Sequence, residues 1–326
     1  MKALICTAYG PLSQLSVQDV PSPQAGPGQV VIDVKASSLN FPDALMVQGL
    51  YQVKPPLPFS PGAELAGIVK EVGLGVHDIK VGDRVIASTG WGAFAEECVV
   101  PAERVMPLLP GMDFETGAAL VLTYCTSLHG LKDCGHIKPG ETLLVLGASG
   151  GVGIAAIEIG KALGARVIAA ASSADKLALC QQLGADEVIN YSSEDLKKRA
   201  LDLTGGKGVD VVYDPVGGAY TESALRALAW HGRLLVVGFA TGEIPRIPLN
   251  LALLKERSLI GVYWGDAKQH DPAGDAANLT QLAAWFAAGK IKPFISERVS
   301  LHDAVAAMER LTSRKVKGKV VILPEA

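Results

Sequence analysis

The spacing of hydrophobic positions divides the chain into two parts. Residues 1–120 contain short, β-branched runs separated by glycine and proline: LSVQDV, QVVIDVKAS, AGIVKEVG, DRVIAS and ECVVP. Runs of this kind, bounded by turn residues, predict strands. The N-terminal part is therefore predicted to be a partly closed β domain.

From residue 141 onward, apolar strands alternate with amphipathic segments. The predicted strands are TLLVLG, RVIAAA, EVIN, VDVVYD, RLLVVG and SLIGVYW, and the predicted helices cover 152–163, 175–183, 194–203, 220–229 and 249–256. Six apolar strands joined by helices predict an α/β fold with a doubly wound, six-stranded parallel sheet of the Rossmann type. A last helix at 276–288 is followed by the strand VKGKVVILP. No further elements follow this strand that could form a new unit with it. We therefore expect residues 1–120 and 266–326 to form a β-rich domain around a nucleotide-binding domain of residues 121–265.

Composition narrows the classes of ligand and location. The chain has 326 residues, 49% of them hydrophobic, and a net charge of -3, which gives no basic surface for nucleic acid. The most apolar region, 143–171, is interrupted by charged residues, and the N-terminus MKALICTAYG does not resemble a signal peptide. Five scattered cysteines are typical of reduced thiols. We expect a cytoplasmic protein that binds a small molecule, with no nucleic acid or membrane partner.

The loop VLGASGGVG at 145–153 supports two interpretations. The first is a G-x-S-x-G nucleophile elbow, in which Ser149 would attack an acyl group. That interpretation needs an acid and a histidine, for which Asp214 with His231 or His302 have the right order. It also needs an upstream glycine-rich oxyanion segment, and none precedes the loop.

The second interpretation is a dinucleotide-binding loop. Gly150, Gly151 and Gly153 would allow a tight turn, a close approach of backbone N–H groups to a pyrophosphate, and close packing of the helix on the strand. TLLVLG is the first strand of its sheet, where such loops occur. This position favours the dinucleotide interpretation.

The end of the second strand bears on the choice of dinucleotide. NAD-binding loops place an acidic residue there, whereas ARVIAAASSADK has none. Ser172, Ser173 and Lys176 instead provide hydroxyls and a cation suited to a 2′-phosphate, which favours NADPH. Alternatively, the two serines only cap the helix that begins near Asp175.

The chain resembles one family along nearly its whole length. The segments that carry the resemblance are, in order, GASGGVG, KALGARVIAAASSADK, LGADEVINY, VVYDPVGG and RLLVVGF. They resemble the zinc-free quinone oxidoreductase branch of the medium-chain dehydrogenase/reductases. The resemblance implies that the β-rich part is a GroES-like domain and that the active site lies in the cleft between the two domains. It also implies a homodimer joined through SLIGVYW.

The zinc ligands of the related alcohol dehydrogenases are missing. Ala63 in PGAE occupies the position of a ligand histidine, and Asn40 lies in the region of the first ligand cysteine. The four-cysteine structural zinc lobe is also absent, since its segment contains only Cys98. A separate group fits no common zinc spacing and is interpreted as part of the helix beside the nicotinamide: Cys125, His129, Cys134 and His136. No metal is expected.

Without a metal Lewis acid, the family resemblance implies hydride transfer to a quinone or an activated alkene. A reductase of enoyl thioesters or alkenals is the competing enzyme, and a low-turnover NADPH-binding or redox-sensing protein is an alternative from another class. The resemblance places the nicotinamide and substrate end at Asn40, Phe41, Asp43, Tyr51 and Thr123. It places NADPH along Asn40, Thr126, His129, Ser149, Gly150, Gly151, Val152, Gly153, Ser172, Ser173, Lys176, Tyr191, Val216, Phe239, Ala240, Val262, Trp264 and Arg314.

Several of these residues also have a purely structural interpretation. Tyr191 could pack at the end of a strand, and Asp43 could cap a helix that starts near Ala44. Phe239 and Trp264 could be core aromatics. The sequence leaves these alternatives open.

Overall fold

The computed structural model describes residues 1–325, which form two compact units. The first contains Met1–Leu122 and the segment from Pro293 onward, and the second is Thr123–Lys292. The strands are β1 Lys2–Ile5, β2 Ser16–Asp19, β3 Gln29–Ser38, β4 Glu64–Val72, β5 Arg84–Ser88, β6 Glu97–Pro101, β7 Val105–Pro107, β8 Thr142–Val145, β9 Arg166–Ala171, β10 Glu187–Asn190, β11 Val209–Asp214, β12 Leu228–Val236, β13 Ser258–Gly261, β14 Ile295–Ser300 and β15 Lys319–Leu323. The helices are α1 Phe41–Val47, α2 Phe114–Leu128, α3 Gly151–Ala162, α4 Ala174–Gln182, α5 Leu196–Leu203, α6 Ala219–Arg226, α7 Asn250–Leu253, α8 Trp264–His270, α9 Pro272–Ala287 and α10 Ala304–Thr312.

The first unit contains a strand-rich sheet in the order β14-β15-β3-β4-β5-β7, with β6 also paired to β3. Most pairs are antiparallel, and the inward side chains of β3 and β4, such as Val30, Ile32 and Leu65, share one apolar core. The C-terminal strand β15 pairs with β3 at Val321↔Ser38. The tail therefore returns to this unit, as the sequence predicts.

The second unit contains the predicted parallel sheet, in the order β10-β9-β8-β11-β12-β13. Its central strands are buried at all but one position each, because helices cover both faces and leave no solvated side. The chain builds outward from β8 to β10 and then returns to build from β11 to β13. The order reverses between β8 and β11, which is where open α/β sheets bind ligands.

The boundary between the units differs from the expected one at residue 266. Residues 266–292 belong to the second unit, not to the β-rich one. Helix α9 is held there by Asn278, which bonds to both Lys132 and Asp133, and by Asp275, which accepts from Trp264. The sequence pattern of this helix gives no sign of these polar contacts.

Capping explains where several helices start. Helix α9 begins at Pro272, four residues before the predicted start, because the Asp271 carboxylate accepts from the Gly274 N–H and Pro272 fits the first turn. Helix α5 begins at Leu196 because Asp195 caps it. Of the predicted helix at 249–256, only Asn250–Leu253 is helical.

Candidate functional site

The carboxyl ends of the six parallel strands bring together most of the predicted cofactor residues. These residues follow β8, β9, β10, β11, β12 and β13 in turn, and parallel strands all end at the same edge of a sheet. They are Ser149, Gly150, Gly151, Val152 and Gly153; Ser172, Ser173 and Lys176; Tyr191; Val216; Phe239 and Ala240; and Val262 and Trp264. The sheet therefore places these segments along one rim.

The glycine loop after β8 has the geometry that close approach requires. Gly147 has a φ of +56°, in the left-handed region. A Cβ at Gly153 would lie 2.4 Å from the Gly147 carbonyl oxygen, so this position tolerates only glycine. Helix α3 begins directly afterwards, with Gly150 as its N-cap, and its first N–H groups have no partner within the helix. The loop thus provides donors suited to an anion.

The loop after β9 holds a cation beside a hydroxyl. Lys176 Nζ donates to Ser172 Oγ at 3.3 Å, and both side chains are half-buried at the start of α4. Ser173 is the N-cap of α4 but donates its hydroxyl to Asp175 instead of accepting from the helix. The helix therefore does not use Ser173 as a capping acceptor, contrary to the purely structural interpretation.

The loop after β11 is fixed by a buried carboxylate. Asp214 accepts from the N–H groups of Val216 and Gly217 and from Thr221 Oγ1 at 2.6 Å. Val216 packs on Gly147, where an added Cβ would come within 2.8 Å of it. The loops that follow β8 and β11 therefore meet at the point where the strand order reverses.

The aromatic residues on this rim divide into two groups. Tyr191 stacks on Tyr220 with ring centroids 4.4 Å apart and remains partly exposed, and Phe239 lies against Gly217. Trp264 instead is buried, donates Nε1 to Asp275 at 2.7 Å and has the Lys268 ammonium 4.8 Å from its ring centroid. Trp264 thus joins α8 to α9, and its place along the cofactor stays a prediction.

Helix α2 presents two of the predicted residues at its surface. Thr126 and His129 are one helical turn apart and partly exposed, whereas Thr123 is buried. His129 Nδ1 lies 3.0 Å from Asp133 and Nε2 lies 3.4 Å from Cys134 Sγ. Val262 is buried near Gly130, behind this helix.

In the first unit, Asn40 belongs to a buried polar network. Glu64, which is fully buried, accepts from Ser38 at 2.6 Å, from Asn40 Nδ2 at 2.9 Å and from Lys319 Nζ at 3.0 Å. Its other oxygen accepts from the Leu122 N–H at 2.8 Å. Lys319 Nζ also donates to Asn40 Oδ1 at 2.6 Å. The carboxylate and the ammonium neutralise each other among well-placed hydrogen bonds.

The remaining predicted residues of this unit have other surroundings. Asp43 is fully buried and accepts from the Asn40 N–H at 2.7 Å, which caps α1. The helix begins at Phe41, three residues before the expected start. Tyr51 packs against the apolar core, and Arg314 is exposed in the turn after α10 with a φ of +59°.

Asp43 makes stability depend on pH. Burial raises its pKa from 3.8 to about 7, and its Oδ1 has no hydrogen-bond partner. The folded protein therefore keeps a proton that the unfolded chain has lost, so the contribution of Asp43 to the free energy of unfolding falls as pH rises from about 4 to 7. We expect Asp43→Asn to flatten this slope, measured as urea unfolding midpoints near pH 5 and 7.5. A variant with the wild-type slope would contradict this role.

The nucleophile-elbow interpretation of Ser149 lacks partners. The Asp214 carboxylate is fully engaged with its own loop, as described above. His231 is exposed, with Nε2 at 3.6 Å from Glu256, and His302 belongs to the first unit. Neither arrangement forms an acid–histidine pair next to the serine.

Two searches of residues 1–325 bear on metals and membranes. Within these residues, His, Cys, Asp and Glu form no group of three or more suited to holding a metal ion. None of the helices there combines the length and apolarity that a bilayer crossing requires.

Sequence reasoning did not identify Glu64 and Lys319 as a pair. A lysine at the start of the apolar strand KVVIL is an available signal, because a buried ammonium requires a carboxylate. Nothing in the sequence indicated which carboxylate, 255 residues away, would be its partner.

Two known families match the chain. Residues 26–110 match the alcohol dehydrogenase GroES-like domain, and residues 151–282 match the zinc-binding dehydrogenase family. The first match lies in the strand-rich unit and the second in the parallel-sheet unit.

Individual relatives cover the chain almost completely. The quinone oxidoreductase-like protein 2 homolog of Nematostella vectensis is 39% identical over 98% of this chain and 88% of its own length. The quinone oxidoreductase of Pseudomonas aeruginosa is 36% identical over 99% of both. The crystal structure of the Escherichia coli quinone oxidoreductase complexed with NADPH is 32% identical, with a TM-score of 0.93 over 99% of this chain and 100% of the other.

Proposed function

Because this chain belongs to the quinone oxidoreductase group of the medium-chain dehydrogenase/reductases, we propose that it binds NADPH and reduces a quinone or an activated alkene without zinc. The observation that carries the proposal is the rim formed by the glycine loop, Lys176 and Ser172 at the carboxyl edge of the parallel sheet. The Escherichia coli and mycobacterial neighbours were crystallised with NADPH.

The rim fits a phosphorylated dinucleotide. The glycine loop and the first turn of α3 offer backbone donors for the pyrophosphate. Lys176 and Ser172 offer a cation and a hydroxyl for a 2′-phosphate, at a strand end that carries no acidic residue for a ribose hydroxyl. The lysine, the serine and the missing acidic residue at the end of β9 support NADPH over NADH.

The first unit does not fit a catalytic zinc ion. Ala63 provides no donor at the expected histidine position, and the Asn40 amide and Glu64 carboxylate are already bonded to Lys319. The ammonium supplies the positive charge that a cation would bring to this carboxylate. This arrangement supports a reaction that needs no metal Lewis acid.

The chain's own residues contribute binding and orientation. When bound, NADPH supplies the hydride. The loops after β8 and β9 would hold its phosphates, and Thr126 and His129 on α2 would lie near the nicotinamide and its phosphates. Asn40 is held rigid by Glu64 and Lys319, so its amide keeps a fixed orientation. Tyr51 or solvent would protonate the reduced product.

A panel of acceptors tests the proposal. Quinones, enones, enals and enoyl thioesters are each mixed with the protein and NADPH or NADH, and the loss of reduced-cofactor absorbance is followed. We expect turnover with NADPH and at least one quinone or activated alkene. Preference for enoyl thioesters or alkenals would favour the competing reductase. Lack of turnover with every acceptor would favour a binding or sensing protein.

Replacing Ser149 with Ala separates the two interpretations of the glycine loop. The backbone donors of the loop remain, so we expect NADPH affinity to fall by no more than about tenfold, as for one lost neutral hydrogen bond. The measurement is NADPH titration of both proteins. Loss of nearly all of an esterase activity in the variant would instead identify Ser149 as a nucleophile.

We also propose that two copies pair through β13. This strand lies at the edge of the six-stranded sheet and exposes Leu259. An open apolar edge favours pairing with a second strand. Sedimentation analysis should give twice the 34.0 kDa mass of the chain.

A further inference from the structure

A cysteine, a histidine and an aspartate form a hydrogen-bonded series directly after α2. Cys134 Sγ lies 3.4 Å from His129 Nε2, and His129 Nδ1 lies 3.0 Å from Asp133 Oδ2. Asp133 also accepts from Asn278 Nδ2 at 2.7 Å, and Asn278 accepts from Lys132 Nζ at 2.7 Å. The imidazole is thus positioned between a carboxylate and a thiol, as a base that activates a nucleophile must be.

The local backbone explains why these residues meet. Residues His129–Cys134 form one turn of π-helix, in which residues five apart lie on one face. The histidine and the cysteine are five apart and the aspartate is four from the histidine. An α-helical continuation would rotate the thiol away from the imidazole, so the wider turn creates the contact. Such turns are often found at functional sites.

Charges around the imidazole favour its protonated form. Hydrogen bonds to Cys134 and then to Asp133 raise the pKa of His129 to about 9. Lys132 is bonded to Asn278 of α9, and on β12 Arg233 is bonded to Glu141 and to the carbonyls of Gly135 and His136. A positively charged imidazole therefore lies 3.4 Å from the Cys134 sulfur.

Accessibility distinguishes this thiol from the others. Cys6, Cys98, Cys125 and Cys180 are buried, and Cys134 is the one partly exposed cysteine among residues 1–325. Burial also raises the pKa of Cys98 and Cys180 to about 12, which keeps them protonated. A reagent in solution should therefore reach and modify Cys134 first.

We infer that Cys134, activated by His129 and Asp133, is a covalent modification site for soft electrophiles of the α,β-unsaturated carbonyl class. The thiolate sulfur forms a bond to the alkene carbon, the π electron pair moves to the carbonyl as an enolate, and the enolate takes a proton from water. The thioether retains every atom of the alkene, and no oxidant or reductant is needed. The reaction uses no NADPH, although His129 also belongs to the proposed cofactor site.

N-ethylmaleimide, itself an activated alkene, tests the inference without cofactor. Limiting reagent is added to the wild-type protein near pH 6.5 and near pH 9.5, and the adduct is located by peptide mapping. We expect the first adduct on Cys134. In His129→Gln, we expect the rate to fall about tenfold near pH 6.5 and to approach the wild-type rate near pH 9.5, where the thiol ionises unaided. Exposure alone would leave the two pH profiles alike.

His136→Asn is the matched control, since it removes an exposed imidazole two residues from the thiol that does not bond to it. In this variant Cys134 should be alkylated at the wild-type rate. If His129→Gln fails to fold, the alkylation rate of Cys134 in the wild-type protein relative to that of free cysteine near pH 6.5 provides an independent readout. A first adduct on another cysteine, wild-type and His129→Gln rates that are equal at both pH values, or a Cys134 rate no faster than that of free cysteine would overturn the inference.

Discussion

Lys319→Met should lower the free energy of unfolding by about 3–5 kcal/mol, because it leaves a buried carboxylate without its cation. Glu64 is fully buried, and the Lys319 ammonium is its only cationic partner within residues 1–325. Methionine fills much of the volume of the lysine stem but cannot donate to Glu64, Asn40 or the Leu39 carbonyl. Urea unfolding at neutral pH measures the loss.

Two further variants separate the charge effect from packing. Adding Glu64→Gln to Lys319→Met removes the unpaired charge. The amide oxygen can still accept from the Leu122 N–H, and the amide NH2 can donate to the Ser38 hydroxyl, so part of the lost stability should return. Lys315→Met removes an exposed lysine from the same segment and should change stability by less than about 0.5 kcal/mol. If Lys319→Met unfolds at the wild-type urea concentration, the buried ion pair does not have the role described here.

Lys176→Met should weaken NADPH binding by about 10- to 150-fold and leave NADH binding nearly unchanged. Hydrogen bonds to charged groups contribute about 1.5–3 kcal/mol, and only NADPH carries the 2′-phosphate that this cation would contact. Only Ser172 then remains to donate a hydrogen bond to the phosphate. Titration of both cofactors by calorimetry gives the two dissociation constants.

Lys197→Met serves as the control, because this lysine is exposed on α5, outside the rim of strand ends. It should bind both cofactors as the wild type does, which tests whether a general loss of positive charge matters. If Lys176→Met weakened NADPH binding and NADH binding equally, the lysine would shape the site without contacting the 2′-phosphate.

The parallel sheet was predictable because each of its strands is a run of apolar residues with helical periodicity on both sides. VDVVYD and RVIAAA both became central strands of that sheet. The glycine loop was predictable for a related reason, since Gly153 occupies a position where the backbone leaves no room for a side chain. These features depend on short-range patterns.

Features that depend on distant contacts were not predictable. Glu64 and Lys319 lie far apart in sequence, and apolar periodicity says nothing about which polar residues will meet. The sequence also did not show that Trp264 would be buried and would donate to Asp275 on the next helix. The π-turn at 129–134 gives no sequence signal, because its side chains would suit an α-helix equally well.

Turnover after metal removal is the most direct test of the proposal that the reaction needs no zinc. The protein is dialysed against a strong chelator, its metal content is measured, and NADPH oxidation is followed with the best acceptor of the panel. We predict full activity with less than about one-tenth of a zinc ion per chain, because Lys319 already supplies the positive charge beside Glu64. Activity that disappears with the metal and returns when zinc is added would contradict it.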